Sequence, residues 1–269
     1  MLKAVLLGVI QAITEWLPVS STGHLLLFDA IFPLQVSEAC RSLFMVLIQL
    51  GSILAVVLLY FHRLNPFSPK KTAEERKETW NLWGKVVVAS VPVAIVGFLL
   101  DDTIDAYFHG WKTIALTLFV YGVAFLFIER RNRKVKPTIV GVEAIDYRTA
   151  LLVGLFECLA LIPGTSRSGS TILGALLLGL DRTTASTFSF FLAIPAMFGA
   201  SLLKLVKLGY GLTGNEWLLV FVGFVVSFLL SIVVIKALLS YIKGHDFTAF
   251  GWYRIVLSVV VVLYFSFFG

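Results

Sequence analysis

Pro163-Gly-Thr-Ser-Arg-Ser-Gly-Ser-Thr171 places an arginine, two glycines and five hydroxyl side chains between two apolar runs, Ala150 to Ile162 and Ile172 to Leu180. In a soluble protein such a stretch would be an ordinary surface loop. The rest of the chain excludes that reading. Of its 269 residues 58% are hydrophobic and 14% are charged, and the mean hydropathy is +0.92, whereas soluble domains carry about 25% charged residues. Runs such as Leu43 to Phe61, Ile114 to Ile128, Leu218 to Ile235 and Ile255 to Phe268 are long enough to cross a hydrocarbon core as helices. They are too continuous for barrel strands, in which apolar and polar residues alternate. The expected fold class is therefore an all-α polytopic membrane protein, and a polar arginine-bearing bend inside it marks a site.

The net charge of +6 is concentrated in juxtamembrane loops, so it reports topology and gives no reason to expect a nucleic-acid partner. Cys40 and Cys158 stand alone, without the spacing of a metal site or a disulfide framework. Lys3 ahead of the apolar run Ala4 to Ile13 imitates a signal peptide. Glu15 follows at once and no small-residue cleavage pattern precedes the next polar cluster, so the segment is read as retained.

From Leu2 to about Phe28, Gln11, Glu15, Pro18, Ser20, Ser21, Thr22, Gly23 and His24 interrupt an apolar sequence. Neither half is long enough to span, which predicts two short helices joined by a bend inside the membrane, an arrangement tolerated only where protein or a wet cavity surrounds it. Spans are then expected at about 43–61, 86–100 and 113–128. The loop His62 to Lys85 and the stretch Arg130 to Arg148 are rich in Lys and Arg, which places both in the cytoplasm, while Asp101, Asp102 and Asp105 suit an outer loop. The broken pattern recurs from Thr149 to Leu180, followed by spans at about 185–203, 217–239 and 252–268. The whole is read as one membrane domain, 1–269, of six transmembrane helices and two re-entrant hairpins.

The two broken segments resemble one another. Gly8-x2-Gln11-x6-Pro18 followed by Ser-Ser-Thr-Gly parallels Gly154-x2-Glu157-x5-Pro163 followed by Gly-Thr-Ser-Arg-Ser-Gly. Each is followed by three spans, an odd number, so the halves at about 1–130 and 149–269 are expected to form an inverted-topology repeat with both termini outside. Folds of that kind place their site near the midplane, where discontinuous helices meet.

Arg167 at membrane depth calls for a cavity and an anion, since facing lipid would cost about 2.5–3.5 kcal/mol on the insertion scale. Its planar fork matches phosphate oxygens. Gly164 and Gly169 allow close backbone approach, and Ser166, Ser168, Ser170 and Thr171 offer hydroxyls beside a helix N-terminus. The competing reading is a structural pair of Arg167 with Glu157 or Glu15. Gln11 and Glu15 share one helical face, and Glu15 has three open roles: holding a divalent cation, acting as a general base, or orienting His24. Ser21 is a candidate nucleophile, and His24, three residues on, is expected to lie close to it. A serine with an adjacent base, facing an arginine, is a constellation for phosphoryl transfer.

Gln11-Ala-Ile-Thr-Glu15-Trp-Leu-Pro-Val-Ser-Ser-Thr-Gly-His24 and Pro163-Gly-Thr-Ser-Arg-Ser-Gly-Ser-Thr171 resemble the two signature motifs of undecaprenyl-diphosphatases of the bacitracin-resistance type. Both motifs match in full and in order, and the resemblance extends over essentially the whole chain. It implies hydrolysis of a C55 isoprenyl diphosphate to the monophosphate and phosphate at the cell membrane, recycling the lipid carrier of cell-wall synthesis, with bacitracin resistance as a consequence. It further implies a divalent cation, Mg2+ or Ca2+, and a site open to the outer face. Carried over by position, Glu15, Ser21, His24 and Arg167 are the catalytic set. Gln11, Ser20, Thr22, Gly164, Ser166, Ser168, Gly169 and Thr171 are the substrate-binding set, and Glu15 is the candidate metal ligand. Position 11 holds Gln where the motif also allows Glu, which leaves Glu15 as the carboxylate of that pair. Attack by Ser21, by His24 or by activated water all remain open. The partners expected are the prenyl diphosphate and membrane lipids; a monomer and a homodimer fit the sequence equally. The function of another class to be weighed is a transporter or flippase of a phosphorylated lipid or anion, since inverted repeats with broken hairpins also build transporters.

Overall fold

The structure, a computed structural model, describes residues 1–108, 110–208 and 211–268, with the side chains of Asp101, Asp102 and Asp105 outside the described part. Of the acidic outer loop expected at those three aspartates, the backbone is described, as helix, and the side chains are not. Two short helices, α1 (Leu2–Trp16) and α2 (Ser21–Ile31), precede α3 (Glu38–Leu59), the single turn α4 (Phe61–Leu64), the long α5 (Ala73–Phe108) and α6 (Trp111–Asn132). A second short pair, α7 (Tyr147–Cys158) and α8 (Arg167–Leu177), precedes α9 (Arg182–Leu208), α10 (Gly214–Tyr241) and α11 (Thr248–Phe267). No strand occurs among the described residues; an isolated bridge joins Ile139 to Leu180.

Six helices are long and apolar enough to cross a membrane: α3, the Ala73–Leu100 part of α5, α6, α9, α10 and α11. The protein is a multi-pass, all-α membrane protein. Large apolar side chains stand bare on its flanks, Phe98 at 88% exposure, Phe127 at 78% and Phe221 at 62%. A soluble monomer would cover surface of that kind, whereas lipid tails solvate it.

One boundary differs from the sequence reading. Much of the loop expected between His62 and Lys85 is helix, because α5 begins at Ala73 and runs unbroken into its apolar part. Charge marked that stretch as lying outside the membrane, but charge does not oppose helix. Thr72 accepts from the Glu75 amide while the Glu75 carboxylate accepts from the Thr72 amide, a reciprocal capping box that starts the helix outside the apolar region. The same helix also runs on to Phe108, past the expected start of the outer loop.

Packing pairs the two sets of helices across each other. Helix α1 lies against α10, and its counterpart α7 lies against α5; α3 meets α9 and α6 meets α11. Exchanging the first set for the second maps each of these pairs onto another or onto itself. The aligned glycines of the two broken segments make close approaches, since a Cβ on Gly8 would strike the Gly223 carbonyl of α10 and one on Gly154 the Ala89 carbonyl of α5. At the α6–α11 crossing the relation is reciprocal: a Cβ on Gly122 would meet the Gly251 carbonyl at 2.8 Å, and one on Gly251 the Gly122 carbonyl at 2.9 Å. Small residues at such crossings let helix backbones touch where lipid offers no hydrophobic drive.

The main apolar cluster joins Trp16 at the end of α1 to Phe188, Phe190, Phe191 and Leu192 of α9 and to Val153, Ile172 and Leu176 of α7 and α8. Trp16 meets Phe190 edge-on at 5.1 Å. Both bends are thereby anchored to one packed core.

Candidate active site

The two bends are built in the same way. Ser20 and Ser166 are the non-glycine residues with positive φ among those described, at 73° and 72°, a region costing on the order of 1–3 kcal/mol per residue. Each caps the helix that follows: Ser20 Oγ accepts from the Gly23 amide at 3.3 Å, and Ser166 Oγ from the Gly169 amide at 3.2 Å. Ser21 and Arg167 consequently occupy equivalent first positions of α2 and α8, each at the positive end of a helix dipole.

Arg254 holds the bends together. It sits in α11, fully buried, and donates to the Pro18 carbonyl of the first bend at 3.2 Å and to the Gly164 and Thr165 carbonyls of the second at 3.0 and 2.9 Å. Its guanidinium also lies over the Tyr121 ring, 5.5 Å from the centroid. In the second bend, Gly164 has φ of +87°, and a side chain there would collide with Thr117 and the Ile114 backbone of α6. Thr117 Oγ1 in turn donates to the Pro163 carbonyl at 2.9 Å.

Across the bends, Arg167 Nη2 meets Glu15 Oε1 at 3.2 Å, with both side chains largely shielded. The other oxygen of Glu15 accepts from Gln11 Nε2 at 3.0 Å and from Ser21 Oγ at 3.3 Å. Arg167 Nη1 donates to the Ser189 carbonyl at 2.7 Å. Ser189 also shares a 2.7 Å hydrogen bond with Thr171 Oγ1. The Glu15–Arg167 pair borders a cavity of about 330 Å3 whose polar lining includes Ser21, Thr22, Gln49, Glu157 and Ser166, and whose apolar lining includes Val93, Leu161, Ala196, Met197 and Ala200. The lining thus combines charge and helix N-termini with apolar side chains.

The expected site residues divide accordingly. Six of them line the cavity, while Gln11 stands behind Glu15. Ser20, Ser168, Gly169 and Thr171 build the walls: Ser168 Oγ donates to the Glu15 carbonyl at 3.0 Å, and Thr171 Oγ1 to the Arg167 carbonyl at 2.9 Å. Ser170 is likewise turned back onto the Arg167 carbonyl at 3.2 Å. The hydroxyl-rich stretch thus spends most of its hydroxyls on the fold of α8. His24 is also placed differently from the expectation that it would pair with Ser21. Its Nδ1 lies 2.7 Å from the Ser20 carbonyl and its Nε2 2.7 Å from the Tyr253 hydroxyl. The carbonyl can only accept, so Nδ1 carries the proton and Nε2 accepts from Tyr253. The side chain hydrogen-bonded to Ser21 is Glu15.

Three residues of this region escaped the sequence reading of the site, Arg254, Ser189 and Tyr253, and Glu157 entered it only as a possible partner of Arg167. Arg254 had a legible signal, an arginine alone in the apolar run Gly251 to Phe268, which at membrane depth marks an interior position. Glu157 was visible as the repeat counterpart of Gln11. Ser189 and Tyr253 carry no local signal. Among the described residues, no group of three or more His, Cys, Asp or Glu side chains is arranged to hold a metal ion.

Comparison with known proteins bears on this geometry. Residues 4–260 match the family model described as bacitracin resistance protein BacA. The chain belongs to the BacA family. It is 53% identical over 268 residues to an undecaprenyl-diphosphatase of Enterococcus faecalis, covering 98% of this chain and 97% of the relative. It is also 54% identical over 263 residues to undecaprenyl-diphosphatase 1 of Clostridioides difficile, covering 98% and 95%. A third relative, the undecaprenyl-diphosphatase of Lactiplantibacillus plantarum, is 52% identical over 267 residues, covering 98% and 97%. Family membership thus spans both bends and every helix that packs on them.

Proposed function

We propose that this BacA-family protein hydrolyses undecaprenyl diphosphate to undecaprenyl phosphate and inorganic phosphate in the cell membrane, recycling the carrier for cell-wall synthesis and conferring bacitracin resistance. The observation that carries the reading is a single cavity lined by the Glu15–Arg167 pair, by the first residues of two helices and by a set of apolar side chains. An amphiphile with a phosphorylated head suits it: Arg167 and the amides of α2 and α8 take the phosphates, and Val93, Leu161 and Met197 face the first units of the prenyl chain.

The chemistry starts from the ion pair. An arriving diphosphate competes with Glu15 for the guanidinium and so frees that carboxylate for Ser21. Glu15 already accepts from Ser21 Oγ, so it takes the serine proton as the oxygen attacks the terminal phosphorus. The bond to the bridging oxygen breaks, the lipid monophosphate leaves, and water then releases phosphate from Ser21. His24, held by the Ser20 carbonyl and Tyr253, keeps the first bend in register. A divalent cation, Mg2+ or Ca2+, would be held mainly by the diphosphate's own oxygens with Glu15 as protein carboxylate, a coordination usual for Mg2+. When bound, it supplies neutralisation of phosphate charge.

The topology belongs to the same proposal. The two bends are the tips of re-entrant hairpins in an inverted repeat, with halves at about 1–130 and 149–269. Their identical caps and the interchange of helix pairs support this. The basic residues around Arg63, Lys71 and Lys85 and around Arg131, Lys136 and Lys243 mark the cytoplasmic side. Both termini then lie outside, and the cavity opens outward.

Purified protein in detergent, which abolishes two-sided transport, should release phosphate from undecaprenyl diphosphate. Arg167→Ala should abolish release and chelation should reduce it. Near-normal turnover in Ser21→Ala would replace the serine by water as nucleophile, and no release by the intact protein would refute the function.

A further inference from the structure

Glu157 is the one acidic side chain at the cavity that has no assigned task. It lies in α7, 2% exposed, and neither carboxyl oxygen has a hydrogen-bond partner. It nevertheless lines the same cavity as Glu15, Ser21 and Arg167. Gly154, three residues earlier, seats α7 on the Ala89 carbonyl of α5, as Gly8 seats α1 on the Gly223 carbonyl of α10. Glu157 therefore occupies in the second helix pair the place that Gln11 has in the first. Gln11 has a neighbour to bond, Glu15, whereas the corresponding position beyond Glu157 is Leu161.

A buried carboxylate without a single N–H or O–H donor is among the least favourable arrangements in a protein interior, and a group so placed keeps its proton instead. The charged group of α8 whose field reaches it is Arg167. That guanidinium is committed to Glu15 and Ser189 and makes no hydrogen bond to Glu157, while its Nε–H is itself unpartnered. Helix α5 contributes apolar Val93 to the cavity wall, and Glu15 of α1 lines the cavity as well. The orphaned groups, the Arg167 Nε–H and a protonated Glu157, are thus both donors. A single phosphate accepting from both would satisfy them, whereas an ionised Glu157 would repel it.

We propose that Glu157 is a further catalytic residue: a carboxyl group protonated in the resting site, which hydrogen-bonds the bound diphosphate and gives its proton to the bridging oxygen as the bond to the terminal phosphorus breaks. The electron pair of that bond goes to the bridging oxygen, the proton from Glu157 neutralises it, and the lipid monophosphate departs. The hydrolytic water later supplies its oxygen and one proton to the phosphate and its other proton to Glu157, while Glu15 returns the serine proton to the Ser21 oxygen as its bond to phosphorus breaks. A positioned acid performs this protonation as the bond breaks, without waiting on solvent. The inference rests on the phosphatase reading.

The test uses the full-length protein in detergent with undecaprenyl diphosphate. Glu157→Gln preserves size and an N–H donor but carries no transferable proton. It should leave KM nearly unchanged, lower kcat by about 100-fold, and abolish the alkaline limb of the wild-type pH profile, where Glu157 loses its proton. Glu157→Asp, which keeps a proton, should lower kcat yet retain that limb. In infrared spectra of the resting protein, the carbonyl stretch of a protonated carboxyl group should be present in wild type and missing in Glu157→Gln. Wild-type kcat with an unchanged alkaline limb in Glu157→Gln, or an unchanged infrared band, would overturn the proposal. So would a loss of Mn2+ affinity in the presence of substrate, which would make Glu157 a cation ligand. If wild type releases no phosphate, the phosphatase reading itself fails, and the infrared result still reports the protonation of Glu157.

Discussion

Replacing Arg254 by Met should disable the site without touching any group that meets substrate. Arg254 donates three hydrogen bonds to main-chain carbonyls, one in the first bend and two in the second. Hydrogen bonds from a charged donor are worth about 1.5–3 kcal/mol each, an upper bound of about 4.5–9 kcal/mol for three. Burying the cation offsets several kcal/mol of this, and the Met chain refills part of the volume. The remaining loss is about 3 kcal/mol, with the Pro18, Gly164 and Thr165 carbonyls left short of a donor. The thermal midpoint in detergent should fall by on the order of 10 °C. Because the same carbonyls position Ser21 and Arg167, a displacement of about 1 Å should cost about 100-fold in turnover. Arg254→Lys retains the charge but lacks the fork that reaches both bends, so it should rescue little of the activity. Differential scanning fluorimetry and phosphate release read the two effects. Wild-type turnover in Arg254→Lys would refute the reasoning, because it would show that the positive charge near the site matters and the clamp does not.

Gly164→Ala should be nearly as damaging as removal of the clamp. A positive φ costs a side-chain-bearing residue about 1–2 kcal/mol, and its Cβ would meet Thr117 and Ile114 of α6; a lowered thermal midpoint together with at least tenfold lower turnover is expected, and a fully active, equally stable variant would contradict the close packing of this bend on α6. Thr171→Val removes the hydroxyl that bonds Ser189, the residue whose carbonyl also holds Arg167. A cost of about 1 kcal/mol should appear chiefly as a raised KM, and titration of substrate concentration distinguishes this from a fall in kcat.

Local sequence carried much of the architecture. Helix-length apolar runs can satisfy their backbone groups in lipid in one way, so the six spans were legible with their order. The two short pairs were legible because Pro18 and Pro163, with their flanking Ser and Gly residues, interrupt those runs. The start of α5 was not, since the charge that keeps Arg76 and Lys77 out of the membrane is compatible with both loop and helix. Within the site, the pairing of Glu15 with Arg167 was weighed from charge alone as a structural alternative. In the folded chain that pair lines the cavity itself. The closeness of Ser21 to His24 was inferred from helical spacing, but spacing along a helix fixes the face and not the partner. Tyr253, 229 residues away from His24, draws the ring elsewhere.

The sequence by itself determined that the chain is a polytopic helical membrane protein, that it holds two interrupted polar segments of related design, and that Arg167 lies at one of them. These follow from local composition and spacing, which act on a few residues at a time. The meeting of the two segments was expected from the inverted repeat, whereas tertiary structure alone decided that Ser21 and Arg167 take equivalent helix-start positions and that Arg254 clamps their bends. It also decided that the hydroxyls of Ser168, Ser170 and Thr171 are spent on α8, and that Glu157 is left unpartnered at the cavity. The physical reason is that a buried polar group is defined by the donors and acceptors left around it. Those come from helices more than a hundred residues apart, which approach closely only because Gly8, Gly122, Gly154 and Gly251 let their backbones touch.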